Sequence, residues 1–260
     1  FGVAFGTAAF LCILSVFNGF HDLIDSLYTT FDPQIEVVPT QSKFATTDDP
    51  LLTQMQQLNE VESASFCLED NALILFRGHP TVITLKGVDD NYDKVTGIRN
   101  ILYGTGSYEL KRGNINYGIP GIGLASAMGG IDYGSLQICA PRKGEQLNVA
   151  NPAESINADF VSSPKVCFNV NQSKYDSNYL ITSLSFAQNL FEQPNCITGL
   201  EFKLKAGTDA EQVKKQMQKI AGKRFKVMNR LEQQEDVFNV MNIEKLMAYV
   251  FLTFILFIVC

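Results

Sequence analysis

The sequence predicts an α+β domain, split by a β-rich insertion and flanked by two transmembrane helices. Three observations carry that expectation. Residues 1–20, FGVAFGTAAFLCILSVFNGF, contain no charge, and a second apolar run, LMAYVFLTFILFIVC, occupies Leu246 to Cys260. Between these runs a strand-then-helix pattern occurs twice, once after Asp32-Pro33 and once after Cys196. The stretch separating the two patterns, Asp89 to about Ser177, is rich in Gly, Asn, Ser and Tyr and has few long helical periods.

An uncharged stretch of about 20 residues, rising about 1.5 Å per residue as a helix, comes close to the roughly 30 Å of a hydrocarbon core. Buried helices of a globular protein are the alternative. Phe20, Leu23, Ile24 and Leu27 keep helical spacing, so residues 1–31 read as a membrane helix continuing into an amphipathic stalk that Asp32-Pro33 ends. Residues 236–260 read as the returning stalk and the start of a second membrane helix. No basic n-region or cleavage site marks a signal peptide, and Asn18-Gly19-Phe20-His21 is not one. The chain begins at Phe1 and its last apolar run has no polar exit, so it reads as a piece of a longer protein. The membrane-proximal charges are Asp22, Asp25, Glu244 and Lys245; without a Lys/Arg cluster they suit an extracytoplasmic insert, although a loop this long is only loosely bound by that rule.

Within the insert, residues 34–38 (QIEVV) alternate as a strand. Asp48-Asp49-Pro50 caps a helix that puts Leu51, Leu52, Met55 and Leu58 on one face. Val61 to Leu68 is a further strand, and Ala72 to Phe76 with Thr81 to Val88 flanks Arg77-Gly78-His79-Pro80 as a hairpin. These make residues 32–88 the first half of an α/β unit. The insertion, residues 89–195, holds a short helix at Pro120 to Met128, strands at Ser135 to Ala140, Val166 to Val170 and Asn178 to Thr182, and a helix at Ser183 to Phe191. Pro141 to Pro164 is a polar excursion too long for an ordinary hairpin, and connections of that length usually carry function or move. The second half, residues 196–235, has a strand at 199–205 (GLEFKLK) and a capping box at Thr208-Asp209-Ala210-Glu211. A helix then follows with Val213, Met217 and Ile220 apolar, and a strand at Phe225 to Met228. Two strand-helix-strand halves of this kind combine in a split, ferredoxin-like sheet with helices on one face. Lys214, Lys215 and Lys219 read as a solvated helix face.

Composition excludes several functions. With 21 basic and 27 acidic residues the net charge is -6, which leaves no electrostatic footprint for nucleic acid. No Walker A motif is present, and Gly121-Ile122-Gly123-Leu124-Ala125-Ser126 lacks the third glycine of a dinucleotide fingerprint, so it reads as a turn and helix start. His21 and His79 have no partner at metal-ligand spacing, and no GxSxG element occurs. The chain is thus read as non-catalytic, with no cofactor of its own. Of six cysteines, Cys12 and Cys260 lie in the apolar runs. The other four either pair, as Cys139–Cys167 and Cys67–Cys196, or remain small buried thiols.

Three places resemble the LolC/LolE branch of the MacB/FtsX-like permeases, the lipoprotein-releasing type of ABC transporter. Ser15-Val16-Phe17-Asn18-Gly19-Phe20 is very like that branch's SVMNGF. Gly123-Leu124-Ala125-Ser126-Ala127-Met128-Gly129, with Tyr133-Gly134-Ser135-Leu136-Gln137-Ile138 and Pro141, resembles its G-x-x-L-A-x-x-L-G-x-x-x-G-D-x-I-x-x-x-x-P element, with Ser135 where Asp is usual. Val237 to Lys245 resembles the Glu-Lys helix leading into the second membrane span. The resemblance implies a bacterial inner-membrane permease with residues of about 21–245 periplasmic, folded as a porter-like α/β subdomain with an inserted Sabre-like one. It implies a second permease subunit, a cytoplasmic ATPase on a separate chain, and ATP-driven motion passed through the stalks to extract a lipoprotein substrate for a periplasmic lipoprotein carrier. Pro141 to Pro164 occupies the place of the hook loop that docks the carrier. Pro141, Arg142, Lys143, Gln146, Asn148, Asn151 and Pro152 are its candidate contacts, or else residues of a plain surface loop. Phe17, Asn18, Phe20, Phe251 and Phe254 are candidates for a membrane face that meets acyl chains, or else ordinary bilayer-facing residues. Two other functions compete: an FtsX- or MacB-like mechanotransmitting permease with another partner, and a two-helix receptor with a periplasmic sensor domain. Further apolar spans after Cys260 would separate a permease from a receptor.

Overall fold

Among the described residues a nine-stranded sheet organises the fold. The structure, a computed structural model, describes residues 31–142 and 156–233 together with Ser15. The two apolar runs lie outside the described residues, and among the described residues no helix is long and apolar enough to cross a membrane. The main elements are β1 (Ile35–Pro39), α1 (Pro50–Gln56), β2 (Val61–Phe76), β3 (His79–Val88), β4 (Ile119–Pro120), α2 (Ile122–Ala127), β5 (Ser135–Pro141), β6 (Ile156–Ser162), β7 (Tyr179–Ser183), α3 (Leu184–Leu190), β8 (Gly199–Leu204), α4 (Ala210–Ala221) and β9 (Phe225–Asn229). The sheet order is β9-β1-β8-β2-β3-β7-β4, with β5 on β2 and β6 on β5. It is a mixed α+β fold.

The four strands β9, β1, β8 and β2 pair antiparallel. In chain order that is 4-1-3-2, the split arrangement expected from two strand-helix-strand halves. Ile35, Val37, Leu200, Phe202 and Val227 form a core with Leu52 and Met55 of α1 and Val213 and Met217 of α4. Both helices are capped by an aspartate: the Asp49 Oδ1 accepts the Leu51 N–H at 3.0 Å, and the Asp209 Oδ1 accepts the Glu211 N–H at 2.9 Å. Asp209 takes the capping position that the sequence assigns to Thr208, because the helix begins one residue later, at Ala210.

β2 is a single strand of 16 residues, where the sequence suggests two. The polar interruption Glu69-Asp70-Asn71 does not end it, since Glu69 meets Lys86 and Asp70 meets Lys43. At roughly 3.4 Å per residue β2 spans on the order of 50 Å. On one side β3 follows it from Cys67 to Phe76; on the other, β8 covers Val61 to Cys67 and β5 covers Leu73 to Leu75. Arg77 and Gly78 close the hairpin with φ of 51° and 82°, the positive pair that a two-residue turn of matching twist requires.

The excursion after Pro141 is shorter than expected. Ile156–Ser162 returns along Ser135–Pro141 in register as β6, an alternation that its polar residues hide. Among the described residues two further cores are present. One, with Leu85, Leu136, Ile138, Leu180 and Phe186, lies beneath α3; the other gathers Phe31, Tyr92, Ile98, Phe168 and Ile181. Cys67, Cys139, Cys167 and Cys196 are free thiols, so neither expected disulfide is formed; Cys67, Cys139 and Cys167 are buried as small apolar side chains.

Candidate functional site

The alternation that turns Ile35 and Val37 toward the helices turns Glu36 to the opposite face of the sheet. There Glu36 stands across from Glu201 of β8, Gly199 across from Cys67 of β2, and Glu69 across from Lys86 of β3. Lys86 is 4% exposed and Glu201 1%. The Lys86 Nζ lies 2.6 Å from the Glu201 Oε1 and 2.7 Å from the Glu69 Oε1. It also faces the Phe31 and Tyr92 rings, at 5.0 and 5.4 Å from their centroids. One ammonium is therefore shared by two carboxylates and two aromatic faces, with a third carboxylate, Glu36, alongside.

Phe31 is held by more than Lys86. Its ring centroid is 4.8 Å from Tyr175, 5.4 Å from Phe168 and 5.7 Å from Tyr179. The next residue, Asp32, accepts the Tyr175 hydroxyl at 2.8 Å, and the Pro33 carbonyl accepts the Gln233 side-chain N–H at 3.2 Å. Residues 31–33 and 233 stand at the two ends of the described domain. Those ends are thus tied to each other and to the ionic cluster. A cavity of about 120 Å³ opens among Phe31, Asp32, Glu36, Glu69, Lys86 and Glu201.

Electrostatics follow from burial. Burial, with Glu201 and Glu69 adding repulsion, pushes the Glu36 carboxyl up to about 8. The Glu201 carboxyl is also raised by burial, against the opposing pull of Lys86. Burial works against the Lys86 ammonium, yet Glu201 and Glu69 hold it well above the ordinary lysine range. The Cys67 thiol is driven well up by burial and by Glu201. At neutral pH the cluster therefore holds a protonated thiol and a neutral Glu36 carboxyl beside the Lys86–Glu201 ion pair, an arrangement that fixes charge and chain ends rather than one that activates a nucleophile.

Of these residues the sequence points only to Cys67, as a disulfide partner or buried thiol, because each charged residue sits at an alternating position that reads as a solvated strand face. The available signal was the cross-strand one, with Glu36, Glu201, Glu69 and Lys86 in strands that only the fold makes adjacent. Of the candidates taken from the sequence, Pro141 ends β5 and lines an apolar groove of about 230 Å³ with Leu73, Val82 and Ile156. The Arg142 Nε donates to the Asn157 Oδ1 at 3.1 Å. Lys143, Gln146, Asn148, Asn151, Pro152, Phe17, Asn18, Phe20, Phe251 and Phe254 lie outside the described residues. The glycines of the 121–126 segment answer to packing: a side chain at Gly121 would meet the Asp176 carbonyl oxygen at 2.4 Å, and one at Gly123 the Ser177 hydroxyl at 2.7 Å. His79 opens β3 and borders a cleft of about 420 Å³ between the hairpin tip and α2.

The fold and site define an α+β domain whose two ends are locked together on a buried ionic face. No family model and no curated protein matches the chain. Among solved structures, it is similar to the periplasmic region of MacB from Actinobacillus actinomycetemcomitans, at 10% identity over 79% of this chain and 92% of that one, with a TM-score of 0.46. It is similar to the extracellular domain of the noncanonic ABC-type transporter YknZ from Gram-positive bacteria, at 12% identity over 75% and 99%, with a TM-score of 0.45. A permease-type domain from Porphyromonas gingivalis follows at 13% identity over 78% and 92%, with a TM-score of 0.43.

Proposed function

We propose that this chain is the extracytoplasmic domain of an ABC transporter permease of the MacB/FtsX-like kind, moved as one body by two stalks that arrive at the same point. The observation that supports this reading best is the tie between Pro33 and Gln233 beneath the Phe31 cage. Force delivered at two separate places would shear a sheet, whereas force delivered where both ends are clamped to its centre moves the sheet whole. The SVFNGF element and the 4-1-3-2 sheet interrupted by a second subdomain agree with it. The finer reading is release of a lipoprotein to a periplasmic carrier at an inner membrane, with the 141–155 connection as the docking loop and a second permease subunit completing the pair. The ATPase is a separate cytoplasmic chain.

Copurification of the complete protein tests the class: an associated ATP-hydrolysing subunit is expected, and its absence would remove the permease reading. Reconstitution in proteoliposomes tests the coupling. Phe31→Leu keeps the site apolar but removes the ring contacts, so ATP hydrolysis should persist while lipoprotein released per ATP falls. Release equal to that of the unmodified protein would show that the clamp transmits nothing.

A further inference from the structure

The ionic face contains three carboxylates for one ammonium, and one of its oxygens is unanswered. Glu201 Oε1 is taken by Lys86, but Glu201 Oε2, fully buried, meets no N–H or O–H donor, and the Cys67 thiol lies beside the rest of this carboxyl. Lys86 reaches Glu201 from β3, across β2, whereas Glu36 approaches from β1 on the other side. Glu36 of β1, Cys67 of β2 and Glu201 of β8 between them each offer one ligand atom, and the three atoms lie within 4.8 Å of one another. Gly199 keeps them together: a side chain there would press on the Cys67 Sγ at 3.1 Å and the Glu36 Oε1 at 3.2 Å. A cavity bordered by Glu36 and Glu201, though not by Cys67, brings water to the two carboxylates.

We propose that Glu36, Cys67 and Glu201 form a binding site for a divalent, thiophilic cation of the zinc class, at the joint where the two ends of the domain meet. One thiolate and two carboxylate oxygens make three protein ligands, and a water in the fourth position completes a tetrahedral set. A softer ion is favoured over magnesium or calcium by the sulfur, and by the small number of oxygens available. Binding releases the protons carried by the Cys67 thiol and the Glu36 carboxyl to solvent, and the ion supplies the charge that Lys86 alone cannot. The site stands whether or not the chain is a permease, since it rests on the sheet face alone.

Titration of the full chain with Co²⁺, followed by absorption, tests this directly. A thiolate-to-cobalt charge-transfer band saturating at one ion per chain is expected, with Zn²⁺ displacing it. Cys67→Ser should abolish the band while the remaining cysteines stay in place. Glu36→Gln and Gly199→Ala should each weaken binding by roughly tenfold or more, because even residues that only orient a ligand are worth about 10–100-fold. Glu36 makes no ion pair with Lys86, so Glu36→Gln remains informative if Cys67→Ser fails to fold. Absence of the band, its persistence in Cys67→Ser, or a Zn²⁺-induced rise in melting temperature equal in the unmodified protein and Glu36→Gln would each overturn the proposal.

Discussion

The two faces of the 4-1-3-2 sheet are both buried, but by opposite means. Toward α1 and α4, the side chains of Ile35, Val37, Leu200, Phe202 and Val227 pack in an apolar cluster with those of the two helices. On the reverse face, Glu201, Glu69 and Glu36 take the alternating positions, Lys86 reaches them from the neighbouring β3, and a cage of Phe31, Tyr175 and Tyr179 covers them. Apolar burial is non-directional and contributes in proportion to area, whereas a buried ion pair gives back much of its Coulomb gain as desolvation. The dry face thus accounts for stability, and the ionic face for the geometry in which the chain ends are held. That division of labour is what the following experiments can break.

The largest effect is expected from Lys86→Met, which leaves Glu201 buried and unpaired; loss of about 3–5 kcal/mol by denaturant unfolding is the usual consequence of removing one partner. Pairing it with Glu201→Leu should restore most of that loss. A single variant as stable as the parent would mean the ion pair does not organise this face. On the dry face, Met217→Ala, at a fully buried position, should cost about 2–5 kcal/mol, by the same amount at pH 5 and pH 8. Dependence on pH there would show that the two faces are not independent.

A third effect, set by pH, concerns Glu36, which faces Glu201, Glu69, Lys86 and Asp32. Its carboxyl is raised from 4.5 to about 8, so between those values the unfolded chain has released a proton that the folded one retains. Stability therefore falls as pH rises through that window and levels off above it. Glu36→Gln should flatten this decline, read as the difference in urea midpoint between pH 5 and pH 8. A slope unchanged by the substitution would assign the decline to Glu201 instead.

Legibility in the sequence differed between the two faces for the same reason. Helix α4 announces itself through Val213 and Met217 at one spacing and an aspartate at its start, and the strands of the split sheet through β-branched alternation. Those are local signals, set by the period of each element. β2 reads as two pieces in the sequence and β6 gives no strand signal there, because polar residues within a strand look like a break until the partners that satisfy them, Lys86 and Lys43 for β2, are placed opposite. The capping residue at α4 was misplaced by one, since Thr208 and Asp209 are both competent caps and only the backbone chooses.

By itself, the sequence determined most strands and helices of the split sheet and that an apolar run stands at each end. Tertiary structure alone decided that Glu36, Cys67, Glu69, Lys86 and Glu201 share one face, and that Pro33 and Gln233, 200 residues apart, touch. The physical reason is that periodicity fixes which way a side chain points along its own strand, while strand order fixes which charges it meets. That order is set by long-range pairing, which no short window of residues contains.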